Sequence, residues 1–111
     1  VNGNLTLQEN IADLGGLTMA YHAYKLSVKD ESENIDGFTA DQRLFLSFAQ
    51  IWRQSITDES KRTLALTDTH SPARFRVNGV VFNVPQFYEA FPSVKPGDKL
   101  YRPEQERPVI W

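Results

Sequence analysis

Apolar side chains recur at spacings of three or four over the first 30 residues, which is the period of a helix packed on one side. The members of this stripe are Leu7, Ile11, Leu14, Leu17, Tyr21, Tyr24 and Val28. We therefore predict one long amphipathic helix over residues 7–30 whose stripe faces the core. Thr6, with Glu9 three residues later, has capping-box spacing and is predicted to begin this helix.

A second helix is predicted from Thr39, which has the same capping-box spacing to Gln42. Its apolar face is rich in aromatic groups, which usually form core and can also line a pocket. The residues of this face are Leu44, Phe45, Phe48, Ala49, Ile51 and Trp52. The acidic stretch 29–37 before it is predicted to be an exposed loop. A short third helix is predicted to begin near Glu59 and to break at 67–69.

Residues 71–82 satisfy two conflicting local rules. Ser71 can cap a helix, and Pro72 suits the first helical position. Asn-Gly at 78–79, between two apolar runs, is instead a strong hairpin signal. The local pattern leaves helix and hairpin open.

The last part of the chain is predicted to hold a short helix capped by Asn83, with Pro85 in its first turn, and then an extended tail over residues 93–111. We expect apolar side chains to hold this tail, namely Tyr101, Val109, Ile110 and Trp111. The predicted fold class is therefore all-α, mainly helical with an irregular C-terminal tail. A length of 111 residues allows one domain at most.

The composition narrows the function classes. Hydrophobic residues make up 41% and charged residues 23%, which is an ordinary globular balance. A formal net charge of −2 gives no field for a polyanion, so nucleic acid is not an expected partner. The absence of cysteine excludes disulfides and thiolate metal sites, and no apolar run is long enough to span a membrane. Because the chain begins without Met, we expect it to be a piece of a longer polypeptide.

Two acidic side chains on the first helix are the main candidates for chemistry. Glu9 and Asp13 stand four residues apart, so they share one helix face, where like charges repel by a few tenths of a kcal/mol. We expect a cation, a metal or a hydrogen-bond donor outside the helix to compensate for this repulsion. Gly16 and Ala20 continue the same face and leave it nearly bare, so another backbone can approach it closely. The other candidates are His22, His70 and Arg76.

Each candidate also has a structural interpretation, and the sequence leaves the choice open. Glu9 can cap its helix, and His70 can be a loop residue bonded to backbone. Asp13 can belong to a solvated helix face, and His22 can be an exposed histidine. Arg76 can be a surface charge, and Ile51 and Trp52 can be core side chains. A catalytic zinc site needs about three protein ligands, and this chain cannot be shown to supply them alone. The corresponding alternative function is a non-catalytic helical interaction module.

Four segments, in order, resemble the neprilysin-like zinc metallopeptidases. The first contains that family's Glu-Asn-Ile-Ala-Asp-x-Gly-Gly signature, the second its Phe-Ala-Gln-x-Trp and the third its His-Ser-Pro-x-x-Phe/Tyr-Arg. The fourth, with the tail and the terminal tryptophan, resembles the family's C-terminus. The segments are residues 5–17, 48–52, 70–79 and 87–91.

The resemblance implies a zinc-dependent endopeptidase that hydrolyses oligopeptides through a zinc-activated water. Glu9 would be the third protein ligand to one zinc ion, beside two histidines of His-Glu-x-x-His. Asp13 would hydrogen-bond a ligating histidine and fix its orientation. His70 would donate to the oxyanion of the tetrahedral intermediate.

The remaining implications concern the substrate and the local fold. Arg76 would hold a carbonyl of the bound peptide, and Ile51 and Trp52 would wall the pocket for the residue after the scissile bond. The family also implies a helix through residues 71–82, which decides against the hairpin.

Two family elements, His-Glu-x-x-His and an Asn-Ala substrate-binding strand, are absent from these 111 residues and lie upstream in family members. We therefore expect the C-terminal part of a zincin-type catalytic domain that is inactive alone. Its partners would be a peptide substrate, the rest of that domain and, through exposed apolar surface, further copies of itself. The disulfide cysteines of animal members are missing, which favours a bacterial-type member. We expect export to the periplasm or cell surface slightly ahead of a cytoplasmic location.

Overall fold

The computed structural model describes residues 2–110, which form five α-helices and one short 3₁₀ helix and contain no β-strand. The predicted all-α class is therefore confirmed. The elements are α1 (Gly3–Ser27), α2 (Ala40–Ile51), α3 (Asp58–Thr67), α4 (Ala73–Val81), α5 (Pro85–Ala90) and the 3₁₀ helix Glu104–Glu106.

The first helix, α1, begins four residues and ends three residues earlier than predicted. The side chain of Asn2 caps it by accepting hydrogen bonds from the backbone N–H groups of Asn4 and Leu5, at 3.2 and 3.3 Å. Thr6 lies inside the helix, where its buried hydroxyl donates to the Asn2 carbonyl at 3.1 Å. The predicted capping box of Thr6 and Glu9 is therefore wrong, and the Glu9 side chain is left for another contact.

The apolar stripe of α1 faces the core only along its second half. Leu14, Leu17 and Tyr21 are buried, whereas Leu7 and Ile11 are 55% and 44% exposed. The buried half packs against α4 and α2. The predicted core stripe is thus confirmed for Leu14, Leu17 and Tyr21 and wrong for Leu7 and Ile11, while Tyr24 and Val28 are only partly buried.

The start of α2 agrees with the prediction. The backbone N–H of Gln42 donates to Thr39 Oγ1 at 3.2 Å, and Gln42 Oε1 accepts from the Thr39 backbone at 3.1 Å. Gln42 Nε2 also donates to the carbonyl of Ala90 at 2.8 Å, which ties α2 to the end of α5. Phe45 then extends from α2 into the core and stacks on Tyr21 of α1, with the ring centroids 6.1 Å apart.

Residues Ala73–Val81 form a helix rather than a hairpin. Val80 and Val81 are buried against the α1 side of the core, and this tertiary burial outweighs the local preference of the Asn-Gly pair. Ser71 does not cap α4, because its hydroxyl donates to a side chain of α1. Pro72 takes the N-cap position and offers no side-chain hydrogen bond.

The third and fifth helices lie close to their predicted positions. Thr57 caps α3 by accepting from the backbone of Ser60 at 3.2 Å. Val84 stands at the N-cap of α5, whereas the side chain of Asn83 donates to the Gly79 carbonyl at 2.7 Å. The predicted Asn83 cap is therefore wrong.

The tail is irregular, as predicted, apart from its short 3₁₀ turn. Tyr101 packs edge-on against Tyr88, with the centroids 5.2 Å apart, and Ile110 packs against the core. Val109 is 90% exposed, so it does not hold the tail. Trp111 lies outside the described residues. No helix within residues 2–110 combines the length and apolar character needed to cross a membrane.

Candidate functional site

Four of the residues singled out by the sequence meet where α1 faces α4 and the loop before it. Glu9 and Asp13 lie one turn apart on α1, and each carboxylate has a different basic partner. Glu9 Oε2 is 3.4 Å from His70 Nε2, and Asp13 pairs with Arg76. The two stacked carboxylates thus have basic groups facing them from outside the helix, as the sequence led us to expect.

Asp13 and Arg76 form a bidentate ion pair. Arg76 Nε donates to Asp13 Oδ2 and Nη2 donates to Oδ1, both at 2.6 Å. The side chains are only 12% and 14% exposed, so the pair is largely desolvated. The hydrogen bonds to Asp13 are the main cause that raises the pKa of Arg76, against the opposing effect of burial. Such planar, two-point recognition fixes orientation as well as charge.

Trp52, just after the last residue of α2, supports Arg76 from another side. The guanidinium carbon lies 3.8 Å from the centroid of the indole ring, within the range of a cation–π contact. Within residues 2–110, no hydrogen bond reaches Nη1 of Arg76, so its two N–H groups can serve a ligand. The Trp52 Nε1 atom is buried and also has no partner within the described part of the chain.

Asp68 holds the loop histidine and was not among the sequence candidates. Its Oδ1 accepts the backbone N–H of His70 at 2.9 Å and pairs with ring Nδ1 at 2.8 Å. These bonds, the backbone one first, hold the pKa of the Asp68 carboxyl below its usual value of 3.8. With Nδ1 engaged, Nε2 is the ring nitrogen that faces Glu9. The Asp-x-His spacing, typical of an Asx-turn, is the sequence signal that could have identified this residue.

A cavity of about 250 Å³ lies between α3 and the start of α4. His70, Arg76 and Trp52 line it, and Ile56 and Leu64 add apolar surface. His70 and Arg76 therefore border a cavity that also has an apolar wall.

Ile51 lies on a second concave surface, which we call the α1–α2 groove. This groove, of about 320 Å³, is lined by Ala12, Asp13, Gly16, Leu17, Ala20, Leu44, Ser47, Phe48 and Ile51. Ile51 is 69% exposed there. Apart from the backbone of α1 itself and the two neighbours of Gly16, no described atom lies within 4 Å of the position that a Cβ would take on Gly16. This face of α1 is therefore open, as the glycine and alanine pattern indicated.

His22 is not part of the cluster. Its ring packs edge-on against Tyr21, with the centroids 5.8 Å apart, and it lines a different cavity against the tail. Within residues 2–110 no three His, Cys, Asp or Glu side chains lie close enough together to hold a metal ion.

Known proteins align with most or all of this chain, both in sequence and in structure. The model of peptidase family M13 matches residues 1–108. Neprilysin-3 of Drosophila melanogaster is 44% identical over 105 residues, which are 90% of this chain and 13% of that protein. The neutral endopeptidase of Lactococcus lactis is 40% identical over 111 residues, which are 99% of this chain and 16% of that protein.

The fold of the chain also matches part of a solved structure. The zinc metalloprotease Zmp1 of Mycobacterium tuberculosis, in an open state, superposes with a TM-score of 0.93 at 45% identity. The match covers 100% of this chain and 17% of that one. The chain thus spans 13–17% of the length of these relatives.

We predict that Asp13→Asn lowers the free energy of unfolding by about 3 kcal/mol, because it leaves the Arg76 guanidinium largely buried without its counter-charge. Urea denaturation followed by circular dichroism measures the change. Asp58→Asn is the matched control, since it removes the exposed pair with Lys61 and is expected to have little effect. Equal stabilities of the two variants would contradict the prediction.

We also predict a pH-dependent contribution from Asp68. Because its folded pKa lies below the unfolded value of 3.8, the ionised carboxylate stabilises the fold above that pH, and this contribution is lost as the pH falls through the folded pKa. Wild type is therefore expected to be more stable than Asp68→Asn at neutral pH, and the difference should shrink as the pH falls below 3.8. A difference that is independent of pH in urea denaturation at a series of pH values would show that the charge of Asp68 is not involved.

Proposed function

Because the chain belongs to peptidase family M13, we propose that it is the part of a zinc-dependent endopeptidase that supplies one metal ligand and the groups that bind substrate. One observation carries this proposal. The carboxylate of Glu9 faces the imidazole of His70, and next to them Arg76 is held in one orientation by Asp13 and Trp52. An acid, an imidazole and an oriented guanidinium, side by side, suit the binding and cleavage of a peptide bond.

Glu9 fits the role of a zinc ligand. Carboxylate oxygen is an accepted ligand of zinc, and the Glu9 side chain is 40% exposed, with only a long contact of 3.4 Å to His70. The other protein ligands would be histidines from elsewhere in the polypeptide. When bound, zinc would polarise the peptide carbonyl and lower the pKa of the attacking water.

His70 is placed to stabilise charge that develops on the substrate. Asp68 occupies its Nδ1, so the ring presents Nε2 on the side of Glu9. Because Nδ1–H donates to the Asp68 carboxylate, Nε2 carries a proton only in the imidazolium form, and we assign to that form the donation of a hydrogen bond to the carbonyl oxygen as that oxygen becomes negative. A preorganised donor of this kind is worth about 10²–10³ in rate.

Arg76 would bind a carbonyl of the peptide through Nη1, because its Nε and Nη2 already donate to Asp13. Two fixed points, the carboxylate and the Trp52 ring, limit the motion of the guanidinium before substrate arrives. Each Asp13 oxygen keeps a second lone pair. A hydrogen bond from the N–H of a ligating histidine to Asp13 therefore stays part of the proposal.

Two apolar side chains would receive the residue after the scissile bond. Trp52 lines the cavity beside His70 and Arg76, and Ile51 extends the apolar surface along the α1–α2 groove. The groove itself would receive the helix that carries His-Glu-x-x-His. The open space around Gly16 supports a close helix–helix approach at this point.

A Glu9 side chain folded back onto the backbone of Thr6 would favour the alternative of a non-catalytic helical module. In the structure the backbone N–H of Thr6 donates to the Asn2 carbonyl at 3.1 Å, and Glu9 turns towards His70. The peptidase function is therefore the one we propose.

In the full-length enzyme that carries this sequence, Glu9→Gln is expected to abolish both bound zinc and zinc-dependent cleavage, because a neutral amide is a poor zinc ligand. Metal analysis and the rate of cleavage of a quenched fluorescent peptide measure the two effects. His70→Ala should keep zinc and lose about 10²–10³ in rate. Glu59→Gln, an equal charge change on α3, is the control and should match wild type. Unchanged zinc and rate in Glu9→Gln would return Glu9 to a structural role.

The 111-residue chain alone is expected to bind zinc only weakly and to cleave no peptide, because the described residues group no three ligands. It should also self-associate, because large apolar side chains such as Ile11, Met19 and Ile51 are exposed. Zinc calorimetry and analytical ultracentrifugation test the two statements. A submicromolar zinc affinity would refute the first, and a monomer at all concentrations would refute the second.

A further inference from the structure

A second contact between α1 and the loop before α4 runs parallel to that of Glu9 and His70. The residue after His70 is Ser71, and its hydroxyl donates to Oδ1 of Asn10, the residue after Glu9, at 2.9 Å. The partners are 61 residues apart in the chain. The two residues proposed for chemistry thus have sequence neighbours that hydrogen-bond each other.

This neighbouring contact is the shorter and the more buried of the two. Ser71 is only 5% exposed, so its hydroxyl needs a protein partner, and Asn10 provides one. The contact between Glu9 and His70 is longer, at 3.4 Å, and both side chains are at least 40% exposed. A pair so exposed contributes little to holding a loop in place.

The amide of Asn10 is itself held in one orientation. Its Nδ2 donates to Thr6 Oγ1 at 3.3 Å, and that hydroxyl donates to the Asn2 carbonyl at 3.1 Å. With the nitrogen directed along α1, the oxygen is directed towards Ser71. The hydrogen bonds thus run without a break from the N-terminal turn of α1 to the loop.

The use of Ser71 in this contact has a structural cost. A serine just before Pro72 would ordinarily cap the following helix, yet α4 has no side-chain cap and its first N–H groups lack that acceptor. The hydroxyl is turned away from the helix that it could stabilise and towards Asn10. On the other side, Asp68 fixes the ring and the backbone of His70.

We propose that Asn10 and Ser71 are a positioning pair that sets the separation between the Glu9 carboxylate and the His70 imidazole. The pair touches neither substrate nor metal and acts through its two neighbours, so this inference rests on the function proposed for them. A displacement of a catalytic group by about 1 Å can cost up to about 10²-fold in rate.

The test uses the full-length zinc enzyme and two variants that remove the same hydrogen bond from opposite ends, Ser71→Ala and Asn10→Ala. Each is expected to lower kcat about 10–100-fold, with KM and zinc content unchanged. The double variant should be no slower than the slower single variant, because one contact is lost in each case. Tyr21→Phe is the matched control, since it removes a hydrogen bond of 3.0 Å between α1 and α2 and should leave kcat unchanged.

A second readout does not depend on activity. In a crystal structure of the zinc-free full-length Ser71→Ala variant, the distance from Glu9 Oε2 to His70 Nε2 should exceed that of the zinc-free wild type by about 1 Å. An unchanged distance, or an unchanged kcat in either folded single variant, overturns the positioning role. If wild type cleaves peptides with zinc, the proposed function survives that result. If wild type shows no zinc-dependent cleavage, both proposals fall.

Discussion

The two hydrogen bonds between Asp13 and Arg76 join parts of the chain that are 63 residues apart, and the arrangement of the site depends on them. Burial of Val80 and Val81 against α1 brings α4 to the first helix, but apolar contacts are non-directional and fix rotation only loosely. A bidentate ion pair has a defined geometry, so it selects one rotation of α4 and one position of α4 along the axis of α1. Because the loop that carries His70 leads directly into α4, the same pair also determines where that loop lies.

Apart from Trp52 at the end of α2, the polar groups of the site come from two short segments. One is a turn and a half of α1, and the other is the stretch 68–76. The two segments make three contacts. Glu9 faces His70, Asn10 accepts a hydrogen bond from Ser71, and Asp13 pairs with Arg76. Groups that would contact metal or substrate alternate with groups that contact only protein. Such support from rigid elements keeps reactive side chains in place without substrate.

The sequence alone predicted the features that depend on residues close to each other in the chain. Helical periods and the Thr39 cap were readable because the interacting groups lie within one turn. The cap at Thr6 was wrong, because the helix begins one turn earlier, where Asn2 accepts from the backbone N–H groups of Asn4 and Leu5, and local preference hardly separates such capping sites. Helix or hairpin at 71–82 was undecidable locally, since burial against α1 settles it. The spacing on one helix face singled out Glu9 and Asp13, and the family resemblance supplied roles for them and for His70 and Arg76. Their pairing depends on contacts some 60 residues apart, which no local rule contains.

The long separation of Asp13 from Arg76 also bears on the order of events during synthesis. A ribosome that adds about 5–20 residues per second needs roughly 3–13 s to make the 63 residues between them. During that interval the α1 carboxylates are already made, but the loop and the arginine that face them are not. A nascent chain at this stage therefore has the carboxylates of Glu9 and Asp13 without their basic partners. The topology delays the assembly of the candidate site until α4 has been made and has docked.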